Sequence, residues 1–167
     1  MIALPESIFD LLKPWSDFYS HSKGAETVVT FLHIGGLLLA GGLAIATDRG
    51  TLRTLRLAAA ERGSHLRELA EMHRWVLTGL TVIVLSGLAL LASDIETFWG
   101  SWIYWLKMSL VVCLLVNGWL MTRAETALAT NADETSPHWA SLRRQALTSL
   151  ALWFAITALG AALVNFS

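Results

Sequence analysis

The sequence predicts an all-α, antiparallel four-helix transmembrane bundle. Of its 167 residues, 54% are hydrophobic and 15% are charged, whereas soluble domains are about 45–50% apolar and about 25% charged. Four apolar windows, at about 27–47, 75–93, 101–122 and 145–166, each match the ~20 residues that a helix needs to cross a bilayer core. Membrane-spanning strands are excluded, because the runs are long and lack polar alternation.

The chain is predicted to form one transmembrane domain, residues 26–167, preceded by an interfacial segment, residues 1–25. Acidic residues are spread through this segment, whereas a cleaved signal peptide begins with a short basic stretch. We expect a short helix after Pro5, lying on the outer membrane surface with its apolar side buried. The region 51–71 is rich in helix-forming residues and is expected to continue the second span beyond the membrane.

Basic residues predict the orientation. Six arginines lie in the connection 48–74 and three in the connection 123–144, whereas the N-terminal segment has two lysines and the connection 94–100 has no basic residue. Basic residues near span ends stay in the cytoplasm, so both termini are expected outside. The arginines of the first connection could touch anionic lipid, but the topology explains them sufficiently. The net charge of −1 gives no field that attracts nucleic acid, so the expected partner is the lipid bilayer.

His33 is the ionisable residue that stands out in the first span. It shares a helical face with small or polar residues, namely Glu26, Thr30, Gly36, Ala40, Ala44 and Thr47. Two interpretations remain open. His33 can be a neutral histidine that hydrogen-bonds to a neighbouring helix, with the span's glycines serving helix packing. Alternatively, it is an axial ligand of haem iron or copper, and the glycines clear space for the macrocycle.

A rise of about 1.5 Å per residue places His33 roughly 10 Å below the outer surface. Lys107 and Met108 on the third span and Ser86 on the second are expected at the same depth. A His33–Met108 pair could bind haem iron or Cu(I), because a thioether is a soft ligand. Lys107 could pair with Glu26 or with a carboxylate or propionate of a bound group, or it could extend to the headgroups.

Two further histidines lie at the inner side. His73 begins the second span, about 20 Å deeper than His33, so the two are not expected to share a metal. An inner haem pair of His73 and His138 is geometrically possible, although histidines at span ends are more often simply interfacial. Lys107, Asn117 and Met121 share a face of the third span that is expected to face inward. Small residues on the fourth span predict a stripe that packs against another helix, at Ala151, Ala155, Ala158, Ala162 and Asn165.

Several short motifs resemble those of small bacterial four-span proteins related to the CopD copper-resistance membrane domain. They are Phe31-Leu32-His33, Asp48-Arg49, His73-Arg74-Trp75, Ser86-Gly87, and Trp105-x-Lys107 followed by Asn117. The resemblance implies a bacterial inner-membrane bundle whose histidines bind copper or b-type haem. Unlike the four-span dihaem cytochromes b561, this chain has no histidine in its fourth span, so paired bis-histidine ligation at two levels cannot be completed within the spans.

The leading functional hypothesis is therefore a membrane protein that binds haem b or copper at His33. Its role would be redox, electron transfer or metal handling, with a redox partner. The alternative is a non-catalytic accessory or assembly subunit that associates with other membrane subunits, in which His33 and Lys107 serve packing and pairing. The sequence contains no P-loop, HExxH motif or serine elbow, so hydrolysis and nucleotide chemistry have no support.

Overall fold

The computed structural model describes residues 6–56, 59–130 and 136–166, and all regular secondary structure in these ranges is helical. This confirms the predicted all-α class. The six helices are α1 (Glu6–His21), α2 (Lys23–Thr54), α3 (Ala59–Ser93), α4 (Ile95–Gly100), α5 (Trp102–Thr130) and α6 (His138–Phe166). The helical region predicted beyond the membrane is present, divided between the end of α2 and the start of α3.

Helices α2, α3, α5 and α6 contain segments that are long and apolar enough to cross a membrane. The chain is thus a multi-pass membrane protein by length and composition. Helix α2 packs most extensively on α3, and α5 on α6, while contacts of α2 with α6 and of α3 with α5 close the ring. Helices α2 and α5 consequently face each other diagonally across the bundle. We call the side that carries α1 and α4 the α1 end, and the opposite side the arginine end.

Two apolar clusters fill the bundle. The middle cluster contains Ala40, Ala44, Leu114, Trp153 and Ile156. The second lies nearer the arginine end and contains Met121, Ala124, Leu128, Leu142 and Ala146. Large apolar side chains also cover the outside of the bundle, as at Phe31, which is 72% exposed, and Phe154, which is 67% exposed. An apolar exterior is what a lipid environment favours, because lipid tails are as apolar as leucine.

The glycines of α2 serve close contact between helices. A Cβ on Gly36 would lie 3.0 Å from the Ile83 side chain of α3, and one on Gly41 would lie 3.3 Å from the Trp153 ring of α6. Positions 35 and 42, in contrast, face open space. The two inward-facing glycines therefore let α3 and α6 approach α2, as the packing interpretation of this span predicts.

The predicted inward face of α5 is confirmed, since Asn117 and Met121 are buried. The predicted packing stripe of α6 is wrong within this chain, because Ala151 and Ala158 are exposed. The buried face of α6 instead carries Leu142, Ala146, Ser149, Trp153 and Ile156. The small size of the alanine side chains did not identify the buried face of α6. The large ring of Trp153 packs inward instead, because Gly41 on α2 makes room for it.

Helix α1 is attached to the end of α3. The indole Nε1 of Trp15 donates to the carbonyl of Ala89 at 2.9 Å, and Ser16 Oγ donates to the carbonyl of Ser93 at 2.7 Å. Ser93 is the last residue of α3, where no intrahelical donor remains for the final carbonyl groups, and Ala89 lies one turn before it. The short helix expected in the N-terminal segment is therefore present and caps the end of a membrane-spanning helix.

Candidate functional site

The half-buried ring of His33 lies inside the α1-end half of the bundle. Its Nδ1 is 3.0 Å from Ser86 Oγ on α3, which confirms that these two residues share a depth. The ring is also packed against the α3 backbone, since a Cβ on Gly87 would lie 3.2 Å from His33 Cε1. A side chain at position 87 would therefore require the imidazole to shift by a few tenths of an ångström.

The hydrogen bonds of Ser86 determine which ring nitrogen carries the proton. The serine hydroxyl lies 2.6 Å from the carbonyl of Val82 and 3.1 Å from that of Ile83, and it donates to these groups. With its one proton directed to these carbonyls, Ser86 Oγ accepts from His33 Nδ1–H, and we assign the neutral tautomer that carries its proton on Nδ1. Nε2, on the far side, keeps its lone pair.

Lys107 on α5 approaches His33 from across the bundle. The two residues are close enough for their charges to interact. A Cβ on Gly160 of α6 would lie 3.6 Å from Lys107 Nζ, so the side chain extends sideways toward α6 at its own level. The alternative pairing with Glu26 is not formed: Glu26 pairs with Lys23 at 2.9 Å, whereas Lys107 Nζ lies beside Gly160.

The other predicted ligands are Met108, His138 and His73. Met108 follows Lys107 and points about 100° further round α5, so an axial pair of His33 and Met108 remains a prediction. His138 is exposed at the first residue of α6. His73 lies in α3, and its side chain is outside the described part of the structure. The inner pair of His73 and His138 therefore also stays a prediction.

A second polar site, which the sequence analysis missed, is buried at the arginine end. Asp48 is 3% exposed and hydrogen-bonds with Ser149 on α6, and Glu125 on α5 is 7% exposed and close enough to interact with its charge. Within the described residues, Asp48 Oδ2 and Thr51 Oγ1 have no hydrogen-bond partner. We call Asp48, Thr51, Glu125 and Ser149 the carboxylate cluster. Buried carboxylates are costly, and within a membrane protein they mark functional regions by default.

A periodic signal could have revealed the carboxylate cluster. The polar stripe of α2 continues past Thr47 through Asp48, Thr51 and Thr54, all of which are buried. On α5, Glu125 follows Asn117 by two helical turns, on the face already expected to point inward. Because the apolar run ends at Thr47, Asp48 was predicted to begin a loop, and its place on the same helical face was missed.

The two polar sites are separated. Leu114, Trp153 and Ile156 of the middle apolar cluster lie between the level of His33 and that of Asp48. Within the described residues, these apolar side chains separate the two polar sites. Among the described side chains, no group of three or more His, Cys, Asp or Glu residues is arranged to hold a metal ion, so metal binding at His33 would depend on other ligand types.

Comparison with protein families, with curated proteins and with solved structures finds no match for this chain. The resemblance to CopD-related proteins accordingly stays a prediction that depends on its short motifs.

Proposed function

We propose that the protein binds haem b through Nε2 of His33 and takes part in electron transfer within the membrane. The observation that carries this proposal is the His33–Ser86 hydrogen bond. Histidines that bind metals almost always use their other ring nitrogen to donate to an acceptor, which sets the tautomer and the ring orientation. His33 has that arrangement inside the bundle, with the lone pair of Nε2 left for a metal.

Lys107 favours haem over copper. A copper ion bound at Nε2 would place positive charge near the lysine ammonium, and the two would repel each other. Haem b carries two propionate carboxylates. The Lys107 ammonium group, at the same level as His33, could form an ion pair with one of them. Haem b supplies one-electron transfer when bound. His33 would hold the iron, Ser86 would orient the ring, and Lys107 would neutralise a propionate.

The packing of α2 limits where such a group could lie. Gly36 and Gly41 are already used in contacts with α3 and α6, so the glycines do not open a slot between those helices. Lys107, on the diagonally placed α5, is close enough to His33 for their charges to interact. The proposal therefore places the cofactor on the α5 side of the imidazole.

We also propose that the protein lies in a bacterial inner membrane with the arginine end in the cytoplasm. The helix order supports one aspect of this: the arginine-rich connections after α2 and α5 lie at the same end of the bundle, opposite α1 and α4. Arginines near span ends favour the cytoplasmic side. The termini, α1 and α4 would then be periplasmic.

The second candidate is a non-catalytic accessory subunit, and the glycine contacts favour it. Every close approach made by Gly36 and Gly41 serves helix packing, and the His33–Ser86 bond by itself joins α2 to α3. In that case His33 and Lys107 stabilise the bundle and bind no cofactor, and the exposed apolar surface serves contacts with other subunits.

Spectroscopy of the purified protein distinguishes the two candidates. Under the haem proposal, protein produced with haem supplied has a Soret band, and His33→Ala removes it. His21→Ala is the matched control, because His21 is an exposed histidine whose Nδ1 is 2.7 Å from the carbonyl of Asp17 within α1. Haem and copper contents are measured per folded protein. A colourless wild-type protein, or equal haem content in wild type and His33→Ala, would contradict the proposal.

A further inference from the structure

A groove opens on the surface at the arginine end, between the end of α2 and the second turn of α6. It is lined by Leu52, Leu55, Arg56, Arg143 and Leu147, and its volume is about 320 Å³. Among the described residues, two cationic side chains from different segments thus border a cavity whose other lining residues are leucines. This combination is independent of His33 and of the haem proposal.

The residues that line the groove can bind a charged group and an apolar group of one ligand. Arg56 and Arg143 are both exposed, and among the described residues neither forms an ion pair with a carboxylate. A guanidinium group binds phosphate oxygens through parallel, charge-assisted hydrogen bonds. The leucine walls offer no hydrogen bonds and favour an alkyl chain. A ligand that satisfies both parts needs a phosphate group attached to hydrocarbon.

The position of the groove agrees with such a ligand. Leu147, one wall, is 49% exposed on the apolar outside of α6, and the two arginines lie at the end of the bundle where arginines concentrate. In a bilayer, this position would place the groove between the lipid-facing surface and the phosphate headgroups. Basic pockets between transmembrane helices on the cytoplasmic side are suited to anionic lipid headgroups.

The geometry points to a binding site for one anionic phospholipid. Its phosphate would lie between Arg56 and Arg143, and an acyl chain would run along Leu52, Leu55 and Leu147. A free phosphate ion would use the arginines but leave the leucine walls uncovered, which is why a lipid is the expected occupant.

The chain offers a matched control for this site. Arg53 and Arg144 are exposed neighbours of Arg56 and Arg143 on the same two segments, but they do not line the groove. The double variant Arg56→Gln/Arg143→Gln and the double variant Arg53→Gln/Arg144→Gln remove the same charge from the same end. A difference between them therefore reports the groove rather than the general attraction of a basic surface for anionic lipid.

The experiment measures lipid binding to delipidated wild-type protein and to both variants by native mass spectrometry. The probes are phosphatidylglycerol, zwitterionic phosphatidylcholine, and inorganic phosphate. We expect one phosphatidylglycerol per wild-type chain, retained in preference to phosphatidylcholine. Loss of two arginine contacts should weaken binding by roughly 30-fold in Arg56→Gln/Arg143→Gln, while the control variant stays close to wild type.

Three results would overturn the assignment. Equal weakening in both double variants would indicate general surface electrostatics. Equal retention of phosphatidylcholine and phosphatidylglycerol would indicate an apolar groove without headgroup recognition. Equal protection of wild-type protein against thermal unfolding by inorganic phosphate and by phosphatidylglycerol would indicate a site for a soluble anion. Circular dichroism shows whether each variant is folded, and glutamine at these four exposed positions is expected to leave the helices intact.

Discussion

Gly79 on α3 lies directly against Ala40 on α2. A Cβ on Gly79 would be 2.9 Å from the Cβ of Ala40 and 3.1 Å from its backbone nitrogen. Neither atom is the end of a flexible side chain, so neither can move aside without displacing α2. The separation of α2 and α3 at this level therefore depends on the absence of a side chain at position 79.

We expect Gly79→Ala to destabilise the protein. Overpacking of a well-packed interface typically costs about 1–3 kcal/mol, because the two backbones must separate. Thermal unfolding in detergent, followed by circular dichroism, measures the change. Gly42→Ala is the control, since position 42 faces open space and alanine is favoured over glycine in a helix by about 1 kcal/mol. Equal stability of the two variants would refute the close approach.

We expect Ser86→Ala to allow both neutral tautomers of His33 without unfolding the bundle. Hydrogen bonds between membrane helices average only ~0.6 kcal/mol in measured cycles, so the loss of stability should be small. Nitrogen NMR of histidine-labelled protein reports which ring nitrogen is protonated. In the wild type the proton should be on Nδ1 of His33, and in Ser86→Ala the two tautomers should mix. An unchanged spectrum would mean that Ser86 does not orient the ring.

Asp48→Asn should stabilise the protein. The variant keeps an oxygen that can accept from Ser149, adds an N–H donor among buried acceptor groups, and removes a buried ionisable carboxyl group. A hydrogen bond contributes about 1 kcal/mol, which corresponds to a rise in Tm of roughly 2–4 °C for a chain of this size. Asp48→Ala, which removes the hydrogen bond with Ser149, should lower Tm. A fall in Tm for both variants would show that the Asp48 carboxylate itself stabilises the bundle.

Alkaline phosphatase fusions test the orientation. The enzyme is active only where its disulfides form, outside the cytoplasm. A fusion after Ser167 should therefore be active, and one inserted after Arg56 should be inactive. Activity of the second fusion alone would show that the topology is opposite to the predicted one and that the arginine end lies outside the cytoplasm.

The spans and the helical class were predictable because each depends on a local property. A run of apolar residues in lipid must satisfy its backbone hydrogen bonds internally, so it forms a helix whatever its neighbours are. The polar stripe of α2 was also predictable as far as Thr47. Ser86 was correctly placed at the depth of His33, because rise per residue is a property of one helix.

The side of each helix that packs inward was not predictable to the same extent. In a membrane both the lipid-facing and the buried side of a helix are apolar, so Ala151 and Trp153 could not be sorted by hydropathy. The carboxylate cluster also depends on three helices meeting, since Asp48, Glu125 and Ser149 come from α2, α5 and α6. The sequence by itself determined how many helices can cross the membrane and how deep each residue lies along its own helix. Only the tertiary structure decided which faces meet, because that choice depends on shape complementarity between helices, such as Gly41 beneath Trp153 and Gly79 against Ala40.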